Sequence, residues 1–230
     1  MRNIPIIAGE IYHIYNRGVE KRNIFMENAD YFRFIHDLYE FNNEERVFNL
    51  GYHFKPKSIA TGLQYIKPRK LLVEILAFAL MPNHYHLLIR PKTDTATAEF
   101  MKKINGGYAH YFNKKHQRTG VLFQGKFKAV LLESNSHLMH MPFYIHCNPL
   151  DLVMPEWREG KLPNTKDALH FLENYRWSSF PDYIGKKNFP SVTSREFLLE
   201  MADGEQNYKK NFTKWLSQMD LNFIDDLTFE

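Results

Sequence analysis

The feature that most narrows the fold is the run LLVEILAFALMPNHYHLLIR at residues 71–90. Its first part, LLVEILAFA, is apolar almost without a break and reads as a strand. MPN reads as a turn, and HYHLLIR as a second strand. On that second strand the period of two sends Tyr85, Leu87 and Ile89 toward the core and His84 and His86 to the opposite face. Alpha carbons two residues apart on a strand lie roughly 6.5 Å apart. At that spacing two imidazoles can converge on one divalent ion, leaving room for a third ligand and substrate oxygens.

The rest of the chain supplies partners for this pair of strands. EIYHIYNR (10–17) alternates Ile11, His13 and Tyr15 against Tyr12, Ile14 and Asn16, a strand pattern that Gly18 ends. NADYFRFIHDLYEF (28–41) places Phe32, Ile35, Leu38 and Tyr39 at helical spacing, with Asn28 as N-cap. Residues 42–70 are polar, contain Pro56 and Pro68, show no sustained period and read as an insertion. A helix is expected from Thr95 to His116, with Phe100, Ile104, Ala109 and Phe112 on its apolar side and Gly106 and Gly107 weakening it locally. GKFKAVLLE (125–133) reads as a strand. SNSHLMHMPFYIHCN (134–148) reads as a helix ended by Asn148-Pro149, with Pro142 expected to kink or restart it.

This order, strand-helix-strand-strand-helix-strand-helix, predicts an α+β fold. It is a ferredoxin-like antiparallel sheet with helices on one face. After Pro149 the chain becomes richer in proline and carries the helical patterns SREFLLEMA and NYKKNFTKWLSQM. The expected organisation is a domain at 1–150, interrupted by the insertion at about 42–70. A helical C-terminal extension at 151–230 packs on it, with Trp177 as the anchor.

Charge is unevenly placed. Residues 55–128 hold 14 Lys or Arg against Glu74, Asp94 and Glu99, while the whole chain carries a net charge of only +4. Aromatics are interleaved with the basic residues in YAHYFNKKHQRTGVLFQGKFKA. Cationic side chains beside flat rings suit a single-stranded phosphate backbone with unstacked bases. Tyr108 and Tyr111 could stack on such bases. Cys147 is the sole cysteine, which excludes an intrachain disulfide and a four-cysteine zinc site and fits a reducing cytoplasm. No apolar run reaches the roughly 18 residues of a membrane span, and the N-terminal segment does not read as a secretory signal.

A nucleophile and a third ligand are offered by FYIHCNPL (143–150). Tyr144 and Asn148 lie four apart, on one helical face. Taken in order, MPNHYHLLIRP, GYAHYFNKKHQRTGVLFQGKFKA, YIHCNPL and YRWSSFPDYIG resemble the successive signatures of the REP-associated tyrosine transposases, and YHIYNRGVEKRNIF resembles their first strand. These are single-tyrosine members of the His-hydrophobic-His (HUH) endonucleases, related to small insertion-sequence transposases. The resemblance spans about residues 10–185.

The resemblance implies an HUH endonuclease fold, with His84 and His86 as metal ligands, Asn148 as the third ligand and Tyr144 as nucleophile. Mg²⁺ or Mn²⁺ is the implied cofactor, and single-stranded DNA bearing a REP-like hairpin the implied partner. The implied activity is cleavage and rejoining of that DNA through a 5′-phosphotyrosine link. Lys126, Lys128 and Arg118 are the implied DNA contacts, joined by Lys102, Lys103, Lys114 and Lys115 from the basic block. His140, four residues before Tyr144, is a candidate general base. One position departs from the family: the residue before the nucleophile, often basic there, is Phe143 here. The expected protein is cytoplasmic and acts as a monomer, with a dimer as the alternative. Three other readings stay open: a catalytically silent hairpin binder, a replication-initiator or relaxase type of nickase, and a zinc hydrolase of small molecules.

Overall fold

The computed structural model of the chain describes residues 5–45 and 69–218. Four antiparallel strands, β1 (Tyr12–Arg17), β2 (Val73–Met81), β3 (His84–Pro91) and β4 (Lys128–Leu131), form one sheet in the order β2-β3-β1-β4. The apolar run becomes the β2–β3 hairpin, paired from Met81 opposite His84 to Val73 opposite Pro91. Helices α1 (Asn28–Glu40) and α2 (Ala96–Lys115) join the strands as expected. Residues 46–68 of the expected insertion lie outside the described residues. At its described edges the Asn42 side chain accepts from the Val73 amide at 2.9 Å and donates to the Val73 carbonyl at 2.8 Å, so the chain leaves and re-enters the fold at one point.

Strand alternation builds two cores. Tyr12, Ile14, Phe78, Leu80, Tyr85 and Leu87 face α1 and α2. Ile11, Ala77, Ala79 and Leu88 face the other way, against α3 (Asn135–Cys147) and the C-terminal helices. The expectation of helices on one face therefore holds for α1 and α2, while α3 and the extension cover the second face. The near-unbroken apolar character of β2 is what a strand covered on both sides requires. A register shift between Ile75 and Ala77 turns both Leu76 and Ala77 toward the second core.

Of the glycine pair expected to weaken α2, Gly107 has a packing reason: a Cβ there would sit 2.5 Å from the Phe41 ring. The helix gives up some propensity at Gly107 and in return approaches the end of α1 closely. Ser134 caps α3, its side chain accepting from the His137 amide at 3.1 Å. Contrary to expectation, α3 continues through Pro142 as one helix. The expected N-cap role of Asn28 also fails. The cap position is Glu27, and the orphan Met26 amide is satisfied by Asp30 Oδ2 at 2.9 Å.

The extension is built into the same core. Helices α4 (Thr165–Asn174), α5 (Phe180–Tyr183), α6 (Glu196–Met201) and α7 (Glu205–Gln218) follow two short 3-10 turns, Asn148–Leu152 and Pro155–Glu159. Ahead of α5, residues 177–179 run beside β2: the Leu80 amide donates to the Trp177 carbonyl at 2.9 Å and the Ser179 amide to the Phe78 carbonyl at 3.0 Å. Trp177 stacks on Tyr31 of α1 with ring centres 4.6 Å apart. Phe143 explains its own departure from the basic residue expected there, because it packs on Tyr208, Phe212 and Trp215 of α7. His146, fully buried, is held between Ser179 Oγ at 2.8 Å and the Tyr208 hydroxyl at 3.0 Å. Burial lowers its pKa to about 3, so it stays neutral.

Candidate active site

The second face of the sheet brings the candidate residues together. Cross-strand register sets Ala79, His86, Tyr15 and Lys128 in one row, and Met81, His84 and Arg17 in the next. By the period of two, His13, Tyr15 and Arg17 of β1 share the face of the histidine pair. The His84 and His86 ring centres are 4.9 Å apart. His13 stacks on His86 at 5.1 Å, with His13 Nε2 2.8 Å from His86 Nδ1, and Tyr15 lies over His13 at 5.2 Å.

Tyr144 reaches this cluster from α3. Its ring meets the His86 and His13 rings edge-on, both at 6.3 Å between centres. The four-residue spacing performs as expected: Asn148 sits one turn beyond Tyr144 and its Nδ2 donates to the Tyr144 carbonyl at 2.9 Å. The Tyr144 residue is 3% exposed, flanked by Trp157 at 5.7 Å. Arg158 donates to the Tyr144 hydroxyl at 2.9 Å and to Asn148 Oδ1 at 3.1 Å.

The donor chemistry suits a divalent ion held through two imidazoles. His84 Nδ1 lies 2.6 Å from Asn83 Oδ1, an acceptor, so Nδ1 carries the proton and Nε2 is the nitrogen that would face an ion. When His86 Nδ1–H donates to His13 Nε2, His86 presents Nε2 in the same way. With the Asn148 side-chain oxygen the two imidazoles would form a three-donor set with room for phosphate oxygens. A tightly bound catalytic zinc draws on three protein ligands. No group of three His, Cys, Asp or Glu able to hold an ion occurs among the described residues.

The expected basic residues divide by face. Lys128 lies opposite Tyr15, in the His86 row, and Lys126 is exposed just before it. Lys102, Lys103, Lys114 and Lys115 belong to α2, on the far side of the sheet. Lys103 and Lys115 are engaged in ion pairs on that side. Lys103 pairs with Glu99 at 2.7 Å and donates to the Asn43 carbonyl, and Lys115 pairs with Asp30 at 2.6 Å and Glu27 at 2.5 Å. Arg118 donates to Asn113 Oδ1 at 2.7 Å. Tyr108 and Tyr111, expected as possible base-stacking rings, serve the α1–α2 core. Tyr108 is fully buried with its hydroxyl on the Ile24 carbonyl at 2.5 Å, and burial pushes both phenols up. His140 lines a groove between α3 and α7, beside Phe143 and Trp215. Cys147 is buried packing, its thiol pushed up by burial.

Sequence reasoning missed four residues of this cluster, His13, Tyr15, Arg17 and Arg158. The first three had a signal, the alternation of β1 itself, which becomes informative once β1 is paired with β3.

Residues 42–148 match the family described as "Transposase IS200 like". No curated protein matches the chain. A solved structure, the REP-associated tyrosine transposase bound to a REP hairpin, is similar at 14% identity with a TM-score of 0.48, over 84% of this chain and 90% of that one. The matched segment carries the β2–β3 hairpin, α2, β4 and the tyrosine helix.

Proposed function

We propose that the protein is a metal-dependent single-strand DNA endonuclease and transposase that cleaves and rejoins hairpin-flanked DNA through Tyr144. The observation that best supports this reading is the meeting of Tyr144 with His86 and His13 at 6.3 Å between ring centres, Tyr144 and His86 both falling in the segment that matches the IS200-like family. In this reading the Tyr144 phenol gives up its proton and its oxygen bonds to phosphorus, the bond from phosphorus to the 3′ oxygen of the preceding nucleotide breaks, and that oxygen takes up a proton and leaves as a 3′-hydroxyl. The product is a 5′-phosphotyrosine ester. One phosphodiester is exchanged for another, so rejoining to a new 3′ end needs no nucleotide cofactor.

His84 and His86 would hold Mg²⁺ or Mn²⁺. Asn148 would contribute the lone pair of Oδ1 that is not engaged by Arg158. When bound, the ion offsets charge building on the oxygens of the scissile phosphate. Lys128 and Arg17 stand in the rows of the histidine pair and, with the exposed Lys126 just ahead of β4, would carry the strand's phosphates.

The test is incubation of wild type and Tyr144→Phe with 3′-labelled single-stranded hairpins and Mn²⁺, followed by a denaturing gel. The expected result is a protein–DNA adduct in wild type that disappears with EDTA and in the variant. An adduct that persists in Tyr144→Phe would overturn the assignment. The low exposure of Tyr144 favours one second reading, a silent hairpin binder. It is distinguished by tight binding with no adduct from either protein.

A further inference from the structure

One guanidinium joins the two functional groups at the C-terminal end of α3. Arg158 Nη1 donates to the Tyr144 hydroxyl at 2.9 Å and Nη2 to Asn148 Oδ1 at 3.1 Å. Asp151 grips the same guanidinium along another edge, accepting from Nε at 2.9 Å and from Nη2 at 2.7 Å. Asp151 is itself fixed by Trp157, whose Nε1 donates to Oδ1 at 2.6 Å, and Arg158 lies 5.0 Å from the Trp157 ring centre. A planar fork of fixed geometry is thus referenced to a carboxylate on one side and holds two catalytically important oxygens on the other. Asp151, Trp157 and Arg158 come from the two 3-10 turns beyond residue 148, outside the segment that matches the family.

We propose that Arg158 is a positioning residue: anchored by Asp151, it fixes the Tyr144 hydroxyl and the Asn148 carbonyl relative to each other and so sets the line along which the phenol meets the scissile phosphate. This inference rests on Tyr144 being the nucleophile. The paired Asp151 carboxylate offsets the charge of Arg158, which separates this role from phosphate binding. Removing Arg158 should therefore disturb the chemical step and spare DNA affinity. A misplacement of about 1 Å at a reacting group costs on the order of 10²-fold in rate.

The test compares Arg158→Ala, Arg158→Lys and Asp151→Asn with wild type by two readouts. One is the ¹⁹F resonance of 3-fluorotyrosine placed at position 144 in metal-free protein. The other is the rate of adduct formation with hairpin DNA, measured alongside affinity for that DNA. The expected result is a shifted or broadened resonance and an adduct rate reduced by about 10²-fold in Arg158→Ala and Asp151→Asn. DNA affinity and its salt dependence are expected to stay as in wild type. Arg158→Lys, which keeps the charge and loses the fork, is expected to fall between. It and Asp151→Asn carry the test if Arg158→Ala does not fold. An unchanged resonance overturns the proposal, as does a wild-type rate in Arg158→Ala or a loss of DNA affinity in step with rate. A wild type that forms no adduct, while its resonance still responds to Arg158→Ala, sinks the nucleophile reading and leaves the clamp standing.

Discussion

The two faces of the sheet use the same kinds of side chain for opposite ends. Behind α1 and α2, Asp30 is fully buried yet accepts from Lys115 at 2.6 Å and from the Met26 amide at 2.9 Å, with His116 at 3.2 Å and the Tyr111 hydroxyl at 3.1 Å. Burial pushes that carboxyl up. The hydrogen bonds from Lys115 and Met26, with the charges of Lys115 and His116, outweigh it and hold the carboxyl below its ordinary 3.8. Every one of those groups comes from the α1 region or the end of α2, and the network closes on itself. On the other face, histidines from two strands, a tyrosine from a helix and an arginine from a 3-10 turn converge. A charge network that closes locally holds a core together. One assembled from distant segments holds reacting groups at a fixed separation.

The comparison predicts that substitutions on the two faces fail differently. The largest effect is expected for Tyr144→Phe, which should abolish the DNA adduct. It should lower stability by only about 1 kcal/mol, the value of one hydrogen bond, as read by a denaturant midpoint. Next in size, His84→Ala and His86→Ala should remove adduct formation as fully as EDTA does. Added Mn²⁺ should restore chelated wild type and fail to restore either variant. On the opposite face, Asp30→Asn should cost about 2 kcal/mol of stability, because it removes the buried carboxylate that Lys115 and the Met26 amide share and leaves Glu27 as the remaining carboxylate on Lys115. Activity per folded molecule should be kept.

That third substitution also has a pH signature. The Asp30 pKa is lower in the folded state than in the unfolded chain, so its contribution is present above the ordinary value of 3.8. It is lost as pH falls through the folded-state value. Acid titration of stability should therefore show a loss below that point in wild type which is missing in Asp30→Asn. The smallest effect separates lysines. Lys128→Ala should weaken single-strand binding and flatten its salt dependence by about 0.7 in log–log slope for each phosphate contact removed, whereas Lys115→Ala should act on stability and leave that slope alone. Equal slopes for the two variants would erase the division between the faces.

What was legible in the sequence was what local periodicity encodes. The alternation around Tyr85 placed His84 and His86 together because a strand reports its own faces. The four-residue spacing placed Asn148 one turn from Tyr144 for the same reason. His13 and Tyr15 were visible as one side of a strand, but their role needed the pairing of Tyr15 with His86, a contact across some 70 residues. The ion pair of Lys115 was not legible, because sequence shows a charge without its partner and Asp30 is 85 residues away. Arg158 lay in a stretch with no sustained pattern, where only the path of the 3-10 turns decides what its side chain reaches. Pro142, whose missing amide predicted a kink or a restart, stands inside a helix that runs on from Asn135 to Cys147 without restarting.

The strand-like path of residues 177–179 along β2 has a consequence for how the chain behaves in company. Without it β2 would present a long apolar border with unsatisfied amides and carbonyls, the kind of border on which neighbouring molecules add strands and polymerise. With it, the open border among the described residues is β4, four residues long and headed by Lys128. A chain cut after residue 150 would lose that guard together with the helices over Ala77, Ala79 and Leu88, exposing an apolar face and a pairing edge at once. Such a fragment should precipitate or form strand-linked oligomers, and the C-terminal segment then serves as the molecule's protection against its own copies.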